Sequence, residues 1–399
     1  MKLSRDKIRN LLLKTKDIQQ IAVGNIAGKT IIAVFWLYMA AVLGTEDYGQ
    51  VNYLIAMGAM GAGLSMVGTS NAVIIYTAKK IPIQSTIYSI ALILGIVSSI
   101  ILYIFSENII VSIFVFSYIF YNLGIAELLG KKEYKKYSIV LILQKIIFVS
   151  SSLIFYNFMG FEGIVLGFAI SMLVFSPIVI TQLFKTKIDF KILKPRFGFI
   201  INNYALVIEK VLSGQVDKLL IAPLLGFSIL GNYALSMQIL SIATILPSIV
   251  FQYTLSQDAS GKSSFWIKKF SILSSIIMAI LAITLAPVVL PIIFPEYIEA
   301  IQIIQIVSLY VIPSSIILAY SSKLLGEEKS KYVLAGQAIS AGTYLSGIFS
   351  LGTTIGINGI AISFVIAGCG QAIFYIIVSK YLKNHELNNN ENNLRDNKK

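Results

Sequence analysis

LGTEDYGQVNYLIA at residues 43–56 has a counterpart at 225–238, LGFSILGNYALSMQ. In each, a Leu-Gly pair closes a long apolar run and a second glycine follows after four residues. Gly44 and Gly226 stand 182 residues apart, as do Gly49 and Gly231, the mark of an internal repeat whose halves have the same orientation. A basic, partly amphipathic segment precedes each half: residues 3–19 with Ile8, Leu11, Leu12 and Ile18, and residues 185–197 with Ile188, Ile192 and Leu193.

Outward from these two stretches, apolar runs broken by charge or turn residues place spans at 21–43, 49–76, 84–105, 109–130, 137–157 and 161–184. A second set of six falls at 198–225, 229–254, 267–290, 297–322, 332–352 and 357–382. A spanning helix needs about 20 mostly apolar residues, so twelve spans use nearly all of the 399 residues. The expected architecture is an all-α polytopic membrane protein of two six-helix lobes. It has a basic amphipathic N-terminus (1–20), an N-lobe (21–184), a cytoplasmic linker (185–197), a C-lobe (198–383) and a disordered Asn-rich tail (384–399). No cleavable signal peptide is expected, because residues 1–17 are charged throughout and the first apolar run is long enough to span.

Composition excludes much else. Charged residues make up 13% of the chain, against roughly 25% in soluble domains. Cys369 is the single cysteine and His385 the single histidine. No internal disulfide and no thiolate or imidazole metal site is therefore expected, nor any cofactor. Ser-His-Asp and Cys-His catalysis lack their histidine, since His385 lies in the polar tail; the chain reads as no enzyme.

The net charge of +13 is explained by where the cations sit. Lys and Arg occupy the N-terminus, the alternate loops 77–83, 131–136, 185–197, 255–269 and 323–331, and the C-terminus. The other short loops carry only acids: Glu46, Asp47, Glu107, Glu162, Glu296 and Glu299. The positive-inside rule then puts both termini in the cytoplasm and the chain in the cytoplasmic membrane. The cations form a collar for anionic lipids, and nucleic acid is not an expected partner.

Four lysines remain inside the spans: Lys29, Lys145, Lys210 and Lys218. A charge at the bilayer centre costs about 2.5–3.5 kcal/mol even on the lenient insertion scale, so each needs a reason. Lys145 and Glu127 sit near cytoplasmic ends, where snorkelling suffices. Lys29 lies roughly 12 Å into span one at 1.5 Å per residue, on a stripe with Asn25 and Trp36. In span seven Asn203, Lys210 and Asp217 share a face. Lys29, Lys210 and Lys218 outnumber the acids Glu209 and Asp217 by one, and a phosphate would balance them. The rival reading pairs these lysines and acids structurally. Glu209 and Asp217 are also the acids that an ion-coupled transporter would use. Tyr118, Tyr121, Asn122, Tyr233, Gln238, Gln337 and Tyr344 suit either a sugar-lined cavity or interhelical contacts. GAMGAG at 58–63 and Gly163 with Gly167 read as packing surfaces, and Pro247, Pro287 and Pro313 as kinks.

LGTEDYGQVNYLIA resembles the LGPxxFGxYxxA signature of the polysaccharide transporter (O-antigen flippase-like) family, with Thr45 where that family often has Pro and Asn52-Tyr53 slightly displaced. VDKLLIAPLLGFSILGNYALSMQI at 216–239 is similar to the same family's xDKxxIxxxLGxxxxGxYxxA segment. With the twelve-span plan, the resemblance covers residues 15–383. It implies the fold of the multidrug, oligosaccharidyl-lipid and polysaccharide exporter superfamily: two lobes in a parallel pseudo-twofold repeat around a central cavity that opens alternately to each face. It further implies a monomeric flippase moving a polyprenyl-(pyro)phosphate-linked oligosaccharide to the outer leaflet, in partnership with a glycan polymerase or glycosyltransferases. By matching position, Lys29, Lys210 and Lys218 would receive the lipid phosphate, with Asn25, Trp36 and Asn203 lining the cavity. The alternative within the superfamily is a cation-coupled multidrug exporter, disfavoured because span one carries Lys29 and no acid. A major-facilitator transporter lacks its GxxxDRxGRR-like loop in TAKKIPIQ at 77–84, and a membrane glycosyltransferase would need a far larger loop than Glu46-Asp47 provides.

Overall fold

A computed structural model describes residues 5–67, 69–185, 187–259, 265–327 and 329–396. Every regular element among them is helical, as a lipid-embedded chain requires when no water is present to satisfy its backbone. In order they are α1 (Arg5–Ser65), α2 (Thr69–Ala78), α3 (Gln84–Ser106), α4 (Ile109–Gly130), α5 (Tyr134–Met159), α6 (Phe161–Met172) and α7 (Ser176–Leu183). There follow α8 (Phe197–Leu225), α9 (Phe227–Ala243), α10 (Ile245–Ala259), α11 (Phe265–Ile293), α12 (Ala300–Ser308), α13 (Val311–Gly326), α14 (Ser330–Ile355) and α15 (Ile357–Asp396).

Among the described residues eight helices are long and apolar enough to cross a membrane, nine if the bent pair Phe227–Ala243 and Ile245–Phe251 is one span. One of the eight, Ala27–Ser65, is broken at Gly44 and covers expected spans one and two. Helices α8 and α14, at expected spans seven and eleven, are not among them. Large apolar side chains such as Ile104, Phe105, Phe158 and Ile292 are mostly exposed, as they are on a lipid-facing surface and not on a soluble one. The chain is a multi-pass membrane protein.

Glycine makes the reversals between helices. Gly44 (φ 72, ψ −178) and Gly226 (φ 99, ψ 163) turn the chain at the two repeat-related junctions. A second pair does the same at α5–α6 and α14–α15: Gly160 (φ 62, ψ −143) and Gly356 (φ 68, ψ −142). This backbone region is essentially closed to residues with a Cβ. All four glycines lie at the ends whose loops carry no Lys or Arg. The same two helix pairs are then held close by small residues. Gly163 packs on the Phe155 carbonyl and Gly359 on that of Leu351, while Gly167 meets Ser152 and Gly347 meets Ser363.

Breaks within spans have local causes. Span eight bends by 44° between α9 and α10, just before Pro247 in the first turn of α10; Pro313 sits likewise in the first turn of α13. Span two breaks after Ser65, where Val67 takes φ 38, a strained value for a β-branched residue.

The contacts divide the chain into two compact units, Met1–Leu230 and Gly231–Lys399. The first therefore includes α8, which the sequence reading assigns to the second half. Two of the core clusters among its described residues are large. Phe35, Phe114, Phe148, Ile164 and Met172 fill one, and Ile83, Tyr88, Ile119, Leu123 and Val179 the other. In the second unit the Tyr233 and Tyr344 hydroxyls hydrogen-bond at 2.9 Å, and Tyr375, packed against Leu324, donates to the Val333 carbonyl at 2.8 Å. Two terminal expectations change. The basic N-terminus is continuous with span one in α1, and the tail expected to be disordered is helical as far as Asp396, because prolonging an existing helix avoids the cost of a new nucleus.

Candidate anion-binding site

The first arm of α1 packs on α5 through aromatic rings: Phe35 lies 4.5 Å from Phe148 between centroids, and Trp36 5.9 Å from the same ring. Trp36, half-buried, also meets Tyr48 edge-on at 6.0 Å. Two turns toward the basic end, Gly28 packs beside the stem of Lys145 from α5, where even a Cβ would be in ordinary contact with Lys145 Cγ at 3.6 Å. The Lys145 ammonium reaches inward, 5.5 Å from the centre of the Tyr121 ring on α4. Snorkelling is not its arrangement. Next to it the fully buried Gln144 donates to Ser171 Oγ at 2.7 Å, tying α5 to α6.

Lys29 follows Gly28 on α1 and is exposed. Neither Lys29 nor Lys145 has a carboxylate within ion-pairing distance among the described residues. A cation over an aromatic face gains about 0.5–2 kcal/mol, less than the roughly 2.5–3.5 kcal/mol that the charge costs in the membrane interior. For Lys145 the aromatic contact alone therefore leaves part of that cost unmet.

One buried acid of this unit is already used. Glu127, expected to snorkel, is instead fully buried; its Oε1 lies 3.0 Å from Lys131 Nζ, and its Oε2 accepts from Tyr88 at 2.8 Å and from Thr77 at 3.4 Å. Gln84 in turn donates to Thr77 at 3.0 Å. The network closes the basic ends of α2, α3 and α4 around one charge pair.

The remaining sequence candidates are placed as follows. Asn203 is buried on α8, accepts from Asn71 at 3.0 Å and donates to the Phe199 carbonyl at 2.8 Å. Asp217 is buried and takes the backbone N–H of Lys218 at 2.8 Å. Lys218 lies 3.8 Å from the same carboxylate and donates to the Gly214 carbonyl at 2.9 Å, so its charge is engaged locally. The side chains of Asn25, Glu209 and Lys210 lie outside the described residues. No group of three or more metal-ligating side chains occurs among the described residues. The sequence singles out Lys145 as one of four lysines within the spans but reads it as snorkelling; the ring it faces is set by helix packing.

No protein-family profile and no curated protein matches the sequence. Solved structures match its fold. The lipid II flippase MurJ in an inward closed conformation superposes with a TM-score of 0.75 at 13% identity, over 90% of this chain and 87% of that one. An inward-facing multidrug resistance MATE family transporter of the MOP superfamily gives 0.65 at 15% identity, over 92% and 97%. A MOP superfamily transporter from Pyrococcus furiosus, whose binding pocket is described as of reverse polarity and suggesting a different function, gives 0.59 at 17% identity, over 92% and 95%. The chain has the fold of MOP-superfamily transporters.

Proposed function

We propose that the protein is a flippase that carries a polyprenyl-(pyro)phosphate-linked oligosaccharide from the cytoplasmic to the outer leaflet by alternating access, serving surface-glycan assembly. The observation that carries this reading is the pair of lysines without carboxylate partners among the described residues, Lys29 and Lys145, the second held inward over Tyr121. An exporter of organic cations would need acids at such positions. The fold is shared with a lipid II flippase and also with multidrug transporters, so the sign of the site's charge is the discriminator. Lysine suits the role, because a point charge on a flexible stem tolerates the changing geometry of a moving phosphate. In the cytoplasmic membrane, with both termini inside, the basic ends would meet the substrate on the leaflet where it is made. Lys210 belongs to the same proposal by its repeat position, and Glu209 and Asp217 remain its proposed coupling acids.

The test is reconstitution into vesicles containing a fluorescent polyprenyl-pyrophosphate oligosaccharide, with leaflet transfer read by an impermeant quencher and cationic dye transport measured in parallel. Transfer of the lipid-linked glycan supports the reading. Dye transport without lipid transfer overturns it in favour of the multidrug exporter.

A further inference from the structure

At the acid-bearing end of the first unit, two cavities meet. One is an apolar groove of about 490 Å³ lined by Met57, Met60, Leu64, Val97, Ile101 and Leu219, from the second arm of α1, α3 and α8. The other, of about 370 Å³, is lined on its polar side by Gln50, Ser106, Asn108 and Glu162. Tyr53, Met57 and Phe105 belong to both, so the polar pocket is continuous with the groove. Both volumes fall within the roughly 300–1,000 Å³ usual for ligand sites.

We infer that this composite cavity binds a neutral glycolipid, with its sugar in the polar pocket and an acyl chain along the groove. The inference does not depend on the flippase reading. The groove opens among lipid-facing residues: Val97, Ile101 and Phe105 are exposed. A chain already in the membrane therefore enters it without crossing water.

The polar pocket selects the headgroup. Asn108 donates to Glu162 Oε1 at 2.6 Å and accepts from the Ile110 N–H at 2.9 Å as the cap of α4. Glu162 Oε2 and the Gln50 amide have no hydrogen-bond partner among the described residues, and both side chains are half-buried. They offer acceptors, one of them charged, and a single amide donor. No Lys or Arg occurs in the loops at this end, whereas Glu107 and Glu162 both do. A phosphate would meet only like charge there, which excludes an anionic phospholipid. An aminophospholipid would satisfy Glu162 with its ammonium but bring a phosphate without a partner. Sugar hydroxyls donate to Glu162 and Gln50 at no such cost.

The experiment is native mass spectrometry of the full-length protein in a sugar-free detergent, with monoglucosyl diacylglycerol, phosphatidylglycerol and phosphatidylethanolamine of identical acyl chains competing for retention. Retention of the glucolipid about tenfold above either phospholipid is expected, the ratio that one charge-assisted hydrogen bond supplies. Glu162→Gln should erase most of that preference, and Gln50→Leu, which serves if the first impairs folding, should reduce it. Met60→Trp, which fills the groove, should reduce retention of the glucolipid itself. Equal or better retention of either phospholipid by the wild type, or an undiminished preference in the Gln50→Leu variant, overturns the inference.

Discussion

Tyr204 on α8 donates its hydroxyl hydrogen to the carbonyl oxygen of Leu64 at 2.8 Å. That carbonyl lies in the last turn of the second arm of α1, where the break after Ser65 leaves acceptors without helical donors. Gly63, one residue earlier, meets the side chain of Val211, and Asn71 beyond the break bonds Asn203 at 3.0 Å. The interruption of span two is thus closed by span seven on both sides. Tyr204→Phe should keep the packing and remove the donor. Interhelical hydrogen bonds in membranes average about 0.6 kcal/mol, so the expected result is a fall of about 1–2 °C in the melting temperature in detergent, together with faster amide exchange in residues 62–72. Unchanged exchange there would show that the break is held by packing alone.

The four positive-φ glycines make a contrast within one chain. At Gly160, Gly226 and Gly356 nothing lies within 4 Å of where a Cβ would sit, so alanine meets no clash, yet the backbone there costs a residue with a Cβ about 1–3 kcal/mol. Gly342 and Gly370 have the same empty surroundings within helices and no positive φ. Alanine at these two should stabilise by about 0.5–1 kcal/mol through helix propensity. Thermal unfolding of the five single alanine variants should therefore sort into two groups of opposite sign; a uniform response would mean that the reversals relax.

One of these repeat pairs was legible in the sequence and the other was not. Gly44 and Gly226 each follow a leucine at the end of an apolar run, and the second glycine five positions on fixes the register. Gly160 and Gly356 stand 196 residues apart, an offset changed by loop lengths, and their helices share little more than the Gly-x-x-Gly of Gly160–Gly163 and Gly356–Gly359. The backbone angles and the matching close contacts of Gly163 and Gly359 show the equivalence. The site was legible in the same partial way. Depth along span one singles out Lys29, because rise per residue is a property of one helix. Which neighbour Lys145 faces depends on helix packing, which periodicity does not encode; a lysine three residues from the buried Phe148 turned inward onto Tyr121 rather than outward to headgroups. Glu127 was misread for the same reason, since nearness to a helix end says nothing about whether Tyr88 and Thr77 close over the carboxylate.

That closure sets the cost of disturbing the Glu127 pair. Removing one partner of a buried ion pair costs about 3–5 kcal/mol because the other charge is left uncompensated, although Lys131 is 28% exposed, which places this pair at or below the lower bound. Lys136 and Glu133 form a comparable pair at 3.6 Å in the same loop region, with 58% and 41% of their side chains exposed. Such surface pairs contribute about 0–1 kcal/mol. Lys131→Ala should lower stability by at least about 1 kcal/mol more than Lys136→Ala in a denaturation series in detergent. Equal effects would place Glu127 in contact with water.

Lys145 supplies the sharpest test of the anion-binding reading, because stability and transport should move in opposite directions. Lys145→Gln keeps a polar end near Tyr121, removes a charge from the membrane interior, and breaks no ion pair among the described residues. Expression and melting temperature should therefore equal or exceed those of the wild type. Substrate affinity should fall, because a charge pair at about 4 Å is worth on the order of 4 kcal/mol at an effective dielectric of 20. With much of that offset by desolvation, a loss of roughly tenfold or more in initial flipping rate is expected below saturation. Lys145→Glu should abolish transfer, and Lys145→Arg should restore part of it by returning the charge in a stiffer form. Lys29→Gln should behave like Lys145→Gln, and the double variant should lose more than either alone. Wild-type flipping by a stably expressed Lys29→Gln, Lys145→Gln protein would remove these lysines from the transport path and leave Lys210 as the cation to examine.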